Sequence, residues 1–306
     1  MRDPVKRYVR YSSLETTPAD GVVIGLTRDG SLERVHFAES TWGRKALLNE
    51  LEVLGIVRHE NVVALKWALR HEKRLFVTTS WVQAEEGEPT PVPLPILLRR
   101  VASVARGVAA IHRAGFVHGD LKPATLLFYR DRGLVTDLKF AQAPGRPSEK
   151  RYNPRLTAPE QMLGEWVGPP ADVYALGIHL YDLFLKGRFP PILRTASSET
   201  GNEVGSEDLM LSPSTAEILR SPRSEGRAGS TRKPAIGQIA EAVIGAKVKF
   251  RSHLARVVEG TQHADLMGDV LAIVRKATRM DPALRYPDAA HLADALEHLL
   301  ERLPAP

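Results

Sequence analysis

Cysteine is missing from the 306 residues. That excludes disulfides, thiolate metal sites and cysteine nucleophiles, and it fits a reducing compartment. A membrane-spanning run is missing too: the longest apolar stretch, VYALGIHLYDLFL (173–185), is interrupted by His179 and Asp182. The N-terminal MRDPVKRYVRYSS is charged and has no apolar core. It does not read as a signal peptide, and the cytoplasm is the expected location. A clustered basic face interleaved with aromatics is also lacking, because Lys and Arg alternate with acids and the net charge is only +6. Neither nucleic acid nor a membrane surface is therefore an expected partner. The one locally basic tract, RSPRSEGRAGSTRK (220–233), is as rich in Ser and Gly as in charge.

What is present divides into two parts. VVIGLT and SLERVHF read as strands joined through an Asp-Gly turn, and NVVALKWAL and LFVTTSWV read as two more. Between the pairs, Leu47, Leu48, Leu51, Leu54 and Val57 follow helical spacing over 46–57. QAEEGEPTPVP, acidic and rich in Pro and Gly, breaks the pattern. Beyond it the chain turns helical: an amphipathic run over 94–115 closed by Gly115, an apolar one over 171–187, a further helical run over 235–250, and two more over 268–280 and 287–302. Residues 195–234 carry few large apolar groups, so a disordered insertion is expected there. The predicted fold class is α+β, bilobal: a strand-rich lobe over 1–83, a linker over 84–93 and a helical lobe over 94–306.

Five ordered motifs carry the chemistry. FVHGDLKPATLLF (116–128) sets Asp120 and Lys122 in a tight loop, and LVTDLKFAQ follows with Asp137. TAPEQM contains Ala158, Pro159 and Glu160, DVYALGIHLYDL begins with Asp172, and DPALRY contains Arg285. In this order and spelling they resemble the serine/threonine protein kinases of eukaryotic type, and the likeness spans nearly the whole chain apart from the insertion. The resemblance implies a bilobal kinase-like fold. It implies Asp120 as the residue that orients a substrate hydroxyl, Lys122 as a support for the transferring phosphate, and Asp137 as a ligand of magnesium on ATP. It also implies that Asp172 pins the catalytic-loop backbone, that Arg285 pairs with Glu160, and that Thr79 is a gatekeeper followed by Ser80, Trp81 and Val82 as the hinge.

The departures from that pattern are as informative. Where the family has three glycines over its phosphates, this chain has Glu15, Thr17 and Asp20, two of them acids that would face a polyanion. Glu50 stands at the helix glutamate, but the strand lysine is replaced by His36, with Arg34 on the same face and Lys45 pointing elsewhere. Thr125 replaces the second metal-binding asparagine, and Lys139 replaces the glycine after Asp137. Gly119 removes the arginine that reads a phosphorylated loop. Ser148, Tyr152 and Thr157 are the available hydroxyls there, with Asn153 at the specificity position. His112 and His118 flank a turn with no acid at ligand spacing, and His291 and His298, with Asp294 between them, sit roughly 10 Å apart along one helix. None of these histidines reads as a metal ligand.

Three readings stay open at this point. The first is a degenerate, pseudokinase-like member, a regulatory or scaffolding partner of another protein with weak or no ATP binding. The second is an atypical active serine/threonine kinase using ATP and magnesium on a protein substrate, with Arg34, His36 or Lys139 reaching the phosphates. The third, from the His-Gly-Asp-Leu spelling, is a small-molecule kinase of the aminoglycoside phosphotransferase type. The third lacks the Ala-Pro-Glu, Asp172 and Arg285 landmarks. Losing several groups that position and neutralise phosphate favours the first.

Overall fold

The computed structural model describes residues 7–17, 19–82, 92–146, 156–185 and 264–303. The expected linker (84–93) as far as residue 91, the insertion (195–234) and the helical run (235–250), together with Ser148, Tyr152 and Asn153, lie outside the described residues.

A five-stranded antiparallel sheet, ordered β1-β2-β3-β5-β4, forms the first lobe. Its strands are β1 (Tyr8–Thr16), β2 (Asp20–Thr27), β3 (Leu32–Ala38), β4 (Leu65–His71) and β5 (Arg74–Ser80). The Asp-Gly turn joins β2 to β3 as expected, with Thr27 N–H donating to Ser31 O at 2.9 Å. β1 was not foreseen from its polar sequence. Its start is held from the outer face of the sheet by Glu33, which accepts from Arg7 Nη2 at 2.8 Å, Tyr8 OH at 2.8 Å and Trp67 Nε1 at 2.9 Å. Because side chains alternate along a strand, Glu33 outward places Arg34 and His36 on the inner face.

Across that inner face lies α1 (Thr41–Ile56), capped by Ser40 Oγ, which accepts from Gly43 N at 2.9 Å. Ala46, Leu47, Glu50, Val53 and Leu54 form its buried stripe. NVVALKWAL does not make one strand as expected. Its first half leaves the sheet and pairs with the other lobe: Val135 N–H donates to Asn61 O at 2.9 Å, and Val63 N–H donates to Val135 O at 3.0 Å.

The second lobe is built on α2 (Leu94–Arg113), a strongly amphipathic helix whose buried face includes Leu97, Leu98, Val101, Val104, Val108 and Ile111. It closes with paired bonds, Gly115 N to His112 O at 2.9 Å and Phe116 N to Ile111 O at 3.1 Å, which satisfy its last carbonyls. A short hairpin follows, β6 (Leu126–Tyr129) and β7 (Arg132–Val135), then α3 (Pro159–Leu163) and α4 (Pro169–Leu185). Every residue of α4 from Ala171 to Tyr181 is buried, the polar Asp172 and His179 along with the apolar ones. The two late helices are Ala264–Ala277, here α5, and Ala289–Glu301, here α6, the former starting earlier than the spacing predicts.

One contact between lobes depends on a missing side chain. A Cβ at Gly107 of α2 would run into the Asn61 carbonyl oxygen, the same oxygen that accepts from Val135. Gly107→Ala should therefore cost about 1–3 kcal/mol of stability through overpacking. A urea midpoint unchanged from wild type would contradict this.

Candidate functional site

Asp172, in the first turn of α4 and 1 % exposed, organises the loop after α2. Its carboxylate accepts from His118 N at 2.7 Å, Gly119 N at 2.9 Å and His112 Nε2 at 2.9 Å. Burial works to raise its pKa, but these donors, His112 first, outweigh it and hold the carboxyl below its ordinary value. Each histidine has its ring orientation set by its second nitrogen. His112 Nδ1 accepts from Ala289 N at 3.3 Å, and His118 Nδ1 accepts from Asp120 N at 3.3 Å while its Nε2 donates to Thr136 O at 3.2 Å. The sequence placed no acid near these histidines. The acid that serves them is 60 residues away from His112 in the chain, and only the packing of α4 on α2 supplies it. Gly119 adopts φ +75°, a left-handed conformation that glycine accepts at little cost.

In that loop Lys122 Nζ lies 2.6 Å from Asp120 Oδ2. Thr125 is turned inward: fully buried, its Oγ1 accepts from Lys122 N at 3.0 Å and faces Lys122 O at 2.9 Å. The hydroxyl that stands in place of the second metal-binding asparagine is thus used within the loop.

Asp137 sits at φ +65°, an uncommon conformation for a residue with a Cβ, and persists because its neighbours are pinned. Asn49 Nδ2 of α1 donates to the carbonyls of Leu138, Lys139 and Ala141, at 3.3, 3.2 and 2.7 Å. Leu138 N donates to Glu50 Oε1 at 3.3 Å. Lys139 turns back on the carboxylate, its Nζ 3.2 Å from Asp137 Oδ1. Burial favours the neutral acid, but the charges of Lys139, then His36 and His118, hold Asp137 below its ordinary pKa. His36 occupies the β3 position nearest α1, with Nδ1 3.4 Å from Glu50 Oε2 and both side chains almost fully buried.

Arg34 lies two residues before His36 and directly across from Thr79 on β5. Among the described residues, the buried Arg34 Nε, His36 Nε2 and Thr79 Oγ1 have no hydrogen-bond partner. Ser80 ends β5, its Oγ accepting from Ala64 N at 3.2 Å, and Trp81 and Val82 lead out half-buried. Lys45 is exposed and borders a cavity of about 330 Å³ beside Asp120, whose walls include Trp42, Asn49, Phe140 and Gln161.

The expected electrostatic conflict at the turn between β1 and β2 needs correction. Asp20 accepts from Glu39 N at 2.9 Å and Ser40 N at 3.0 Å, so its charge stabilises the entry to α1 and is not left to oppose a ligand. Burial works against that charge, yet the donors from Ser40 and Glu39 keep its carboxyl below the usual value. The turn is closed by Thr17 N to Asp20 O at 2.7 Å, and the side chain of Glu15 lies outside the described residues.

At the base of the second lobe, Arg285 clamps Glu160 through Nη1 to Oε1 at 2.6 Å and Nη2 to Oε2 at 2.7 Å. Its other N–H groups reach Arg279 O, Pro170 O and Met280 O, so all of its donors are used. The pair implied by the resemblance is thus formed. The family described as protein kinase domain matches residues 32–259. The chain belongs to the protein kinase domain family. Its bilobal α+β fold is that of the kinases, and the family in general uses ATP and magnesium.

The kinase frame shows what the site can do with those cofactors. Asp120 Oδ2 is taken by Lys122 Nζ at 2.6 Å. Asp137 already has a cation at ion-pair distance, Thr125 faces inward, and among the described residues no group of three or more His, Asp or Glu side chains gathers to hold a metal. The residues present do not fit magnesium-bound ATP.

Proposed function

We propose that this kinase-family chain is a pseudokinase, a regulatory or scaffolding partner of another protein, in which metal-assisted phosphoryl transfer is lost. The observation that carries the reading is Lys139 Nζ at 3.2 Å from Asp137 Oδ1. An ammonium at that carboxylate takes the place a divalent ion needs, and a reaction that rests on charge neutralisation and positioning loses its main contribution. Meanwhile the scaffold is kept intact: Asp172 holds the loop, Asn49 and Glu50 hold α1 against Leu138, and Arg285 holds Glu160.

One observation favours the runner-up, an atypical serine/threonine kinase: His36 restores a contact to Glu50, 3.4 Å away. Melting the protein with ATP in EDTA and with ATP plus magnesium distinguishes the two. A ligand that binds only the folded state adds about 2.7 kcal/mol at a hundred times its Kd. The pseudokinase reading expects magnesium to add nothing to whatever shift ATP gives alone. A magnesium-dependent shift, together with phosphate transfer to a generic basic protein that Asp120→Ala abolishes, overturns it.

A further inference from the structure

The side of α1 turned away from the core carries a stripe of its own. Trp42, Lys45, Leu48, Glu52 and Ile56 are exposed and recur every three or four residues, so they lie along one line of the helix. The sequence pattern groups Leu48 with the buried leucines, but the helix turns it outward, 55 % exposed, with Trp42 at 48 % and Ile56 at 57 %. Large apolar side chains aligned in this way on a surface mark an interaction site. The Trp42 ring is already steadied, 6.0 Å from that of Phe140. Trp42, Lys45, Leu48 and Glu52 also border the cavity of about 330 Å³ beside Asp120, so the stripe is edged by open space.

The charges in the stripe point to what covers it. Lys45 has no acid three or four residues away on the helix, Glu52 has no base there, and neither forms an ion pair among the described residues. They lie about 10.5 Å apart along the axis, too far to meet each other. Leu48 is midway between them. A two-fold axis beside Leu48 therefore sets Lys45 of one chain against Glu52 of the other, twice over, and sets Trp42 against Gly55 and Ile56. At Gly55 an added Cβ would meet nothing within 4 Å, so the bare backbone there leaves room for an indole. A stripe that complements itself when reversed is what an isologous contact requires.

We propose that the exposed face of α1 is a homodimer interface, where the α1 helices of two copies of this chain pack antiparallel about an axis at Leu48. A parallel pair is disfavoured, because it sets Lys45 against Lys45 and Glu52 against Glu52. A stripe about 21 Å long and one helix wide buries less than the roughly 800 Å² per partner of a standard interface, so the association is weak and reversible. On its other side the same helix holds the cleft: Asn49 donates to Ala141 O and Glu50 accepts from Leu138 N, so pairing also braces the loop that carries Asp137. The inference goes beyond the pseudokinase reading and stands whether or not phosphate is transferred.

Sedimentation velocity of the full chain from about 5 to about 500 µM tests it, a range set by the small interface. Wild type should pass from monomer to dimer within that range. Lys45→Glu and Glu52→Lys, each alone, set like charges across the axis and should weaken the dimer at least about tenfold. Mixing these two variants makes both cross-axis pairs opposite in sign again, so the mixture should form a heterodimer about as tight as wild type. Leu48→Asp brings two carboxylates together at the axis and should leave the chain monomeric throughout. All three positions are exposed, so thermal melts followed by circular dichroism should match wild type. A wild-type chain that stays monomeric gives the face to a different protein and overturns the proposal. So do single charge variants that dimerise as wild type does, or a mixture no tighter than either variant alone.

Discussion

Arg285→Ala will destabilise the protein by about 3–5 kcal/mol, the cost of removing one partner from a buried ion pair. Glu160 would be left as a buried, uncompensated carboxylate, and the carbonyls of Arg279, Pro170 and Met280 would each lose a donor. The guanidinium also lies 5.1 Å from the centre of the Tyr174 ring, inside the larger core, so its loss opens a void beside α4. Lysine is not a substitute, because a point charge cannot form the two parallel bonds to Glu160. Native domains are stable by only about 5–15 kcal/mol, so this single change consumes a large share of the margin. Denaturant unfolding monitored by circular dichroism should show an earlier midpoint. Arg285→Ala combined with Glu160→Gln should recover part of the loss, because the stranded charge is gone. A double variant no more stable than the single one would show that stranded charge is not the cause.

The second large effect is at Asp172. Its carboxylate satisfies two backbone N–H groups and the His112 ring, the bond from His118 N being buried and the others partly so. Asp172→Ala leaves those donors without an acceptor and should also cost about 3–5 kcal/mol. Asp172 has a folded-state pKa held below its unfolded one, so it contributes stability above the ordinary carboxylate range, and that contribution is lost as pH falls through the depressed value. Wild type should therefore lose stability on acidification, below about pH 4, more steeply than Asp172→Asn, which has no charge to lose there. Parallel curves for the two proteins would remove Asp172 from the acid response. The same substitution frees the backbone of His118 and Gly119, so amide exchange across 116–122 should accelerate even at neutral pH.

Much of the molecule could be read without coordinates. Asp172, Glu160 and Arg285 are recognisable through the resemblance to the ordered kinase motifs, which implies the partner of each. The helical stripes of α1 and α2 are equally plain, since burial of one face dictates the spacing of Leu, Val and Ala. Strand edges were less legible. Polar β1 is held by Glu33 through Arg7 just before the strand, Tyr8 at its start and Trp67 on β4, a cross-strand arrangement that carries no local signal. The apolar pattern of 61–69 predicts a single strand, yet Asn61 and Val63 pair with Val135 in the other lobe.

The site divides the same way. The sequence by itself determined the kinase-type order of motifs, the loss of the strand lysine and the presence of Lys139, because these are matters of residue identity. Only the tertiary structure decided how those identities combine. Lys139 turns onto Asp137, Thr125 bonds within its own loop, Asp20 caps the approach to α1, and Arg34 Nε is left without a hydrogen-bond partner among the described residues. The physical reason is that charge compensation is a property of distances. Which cation neutralises which carboxylate, and which charge remains over, is settled by how β3, α1 and the loop after β7 are brought together.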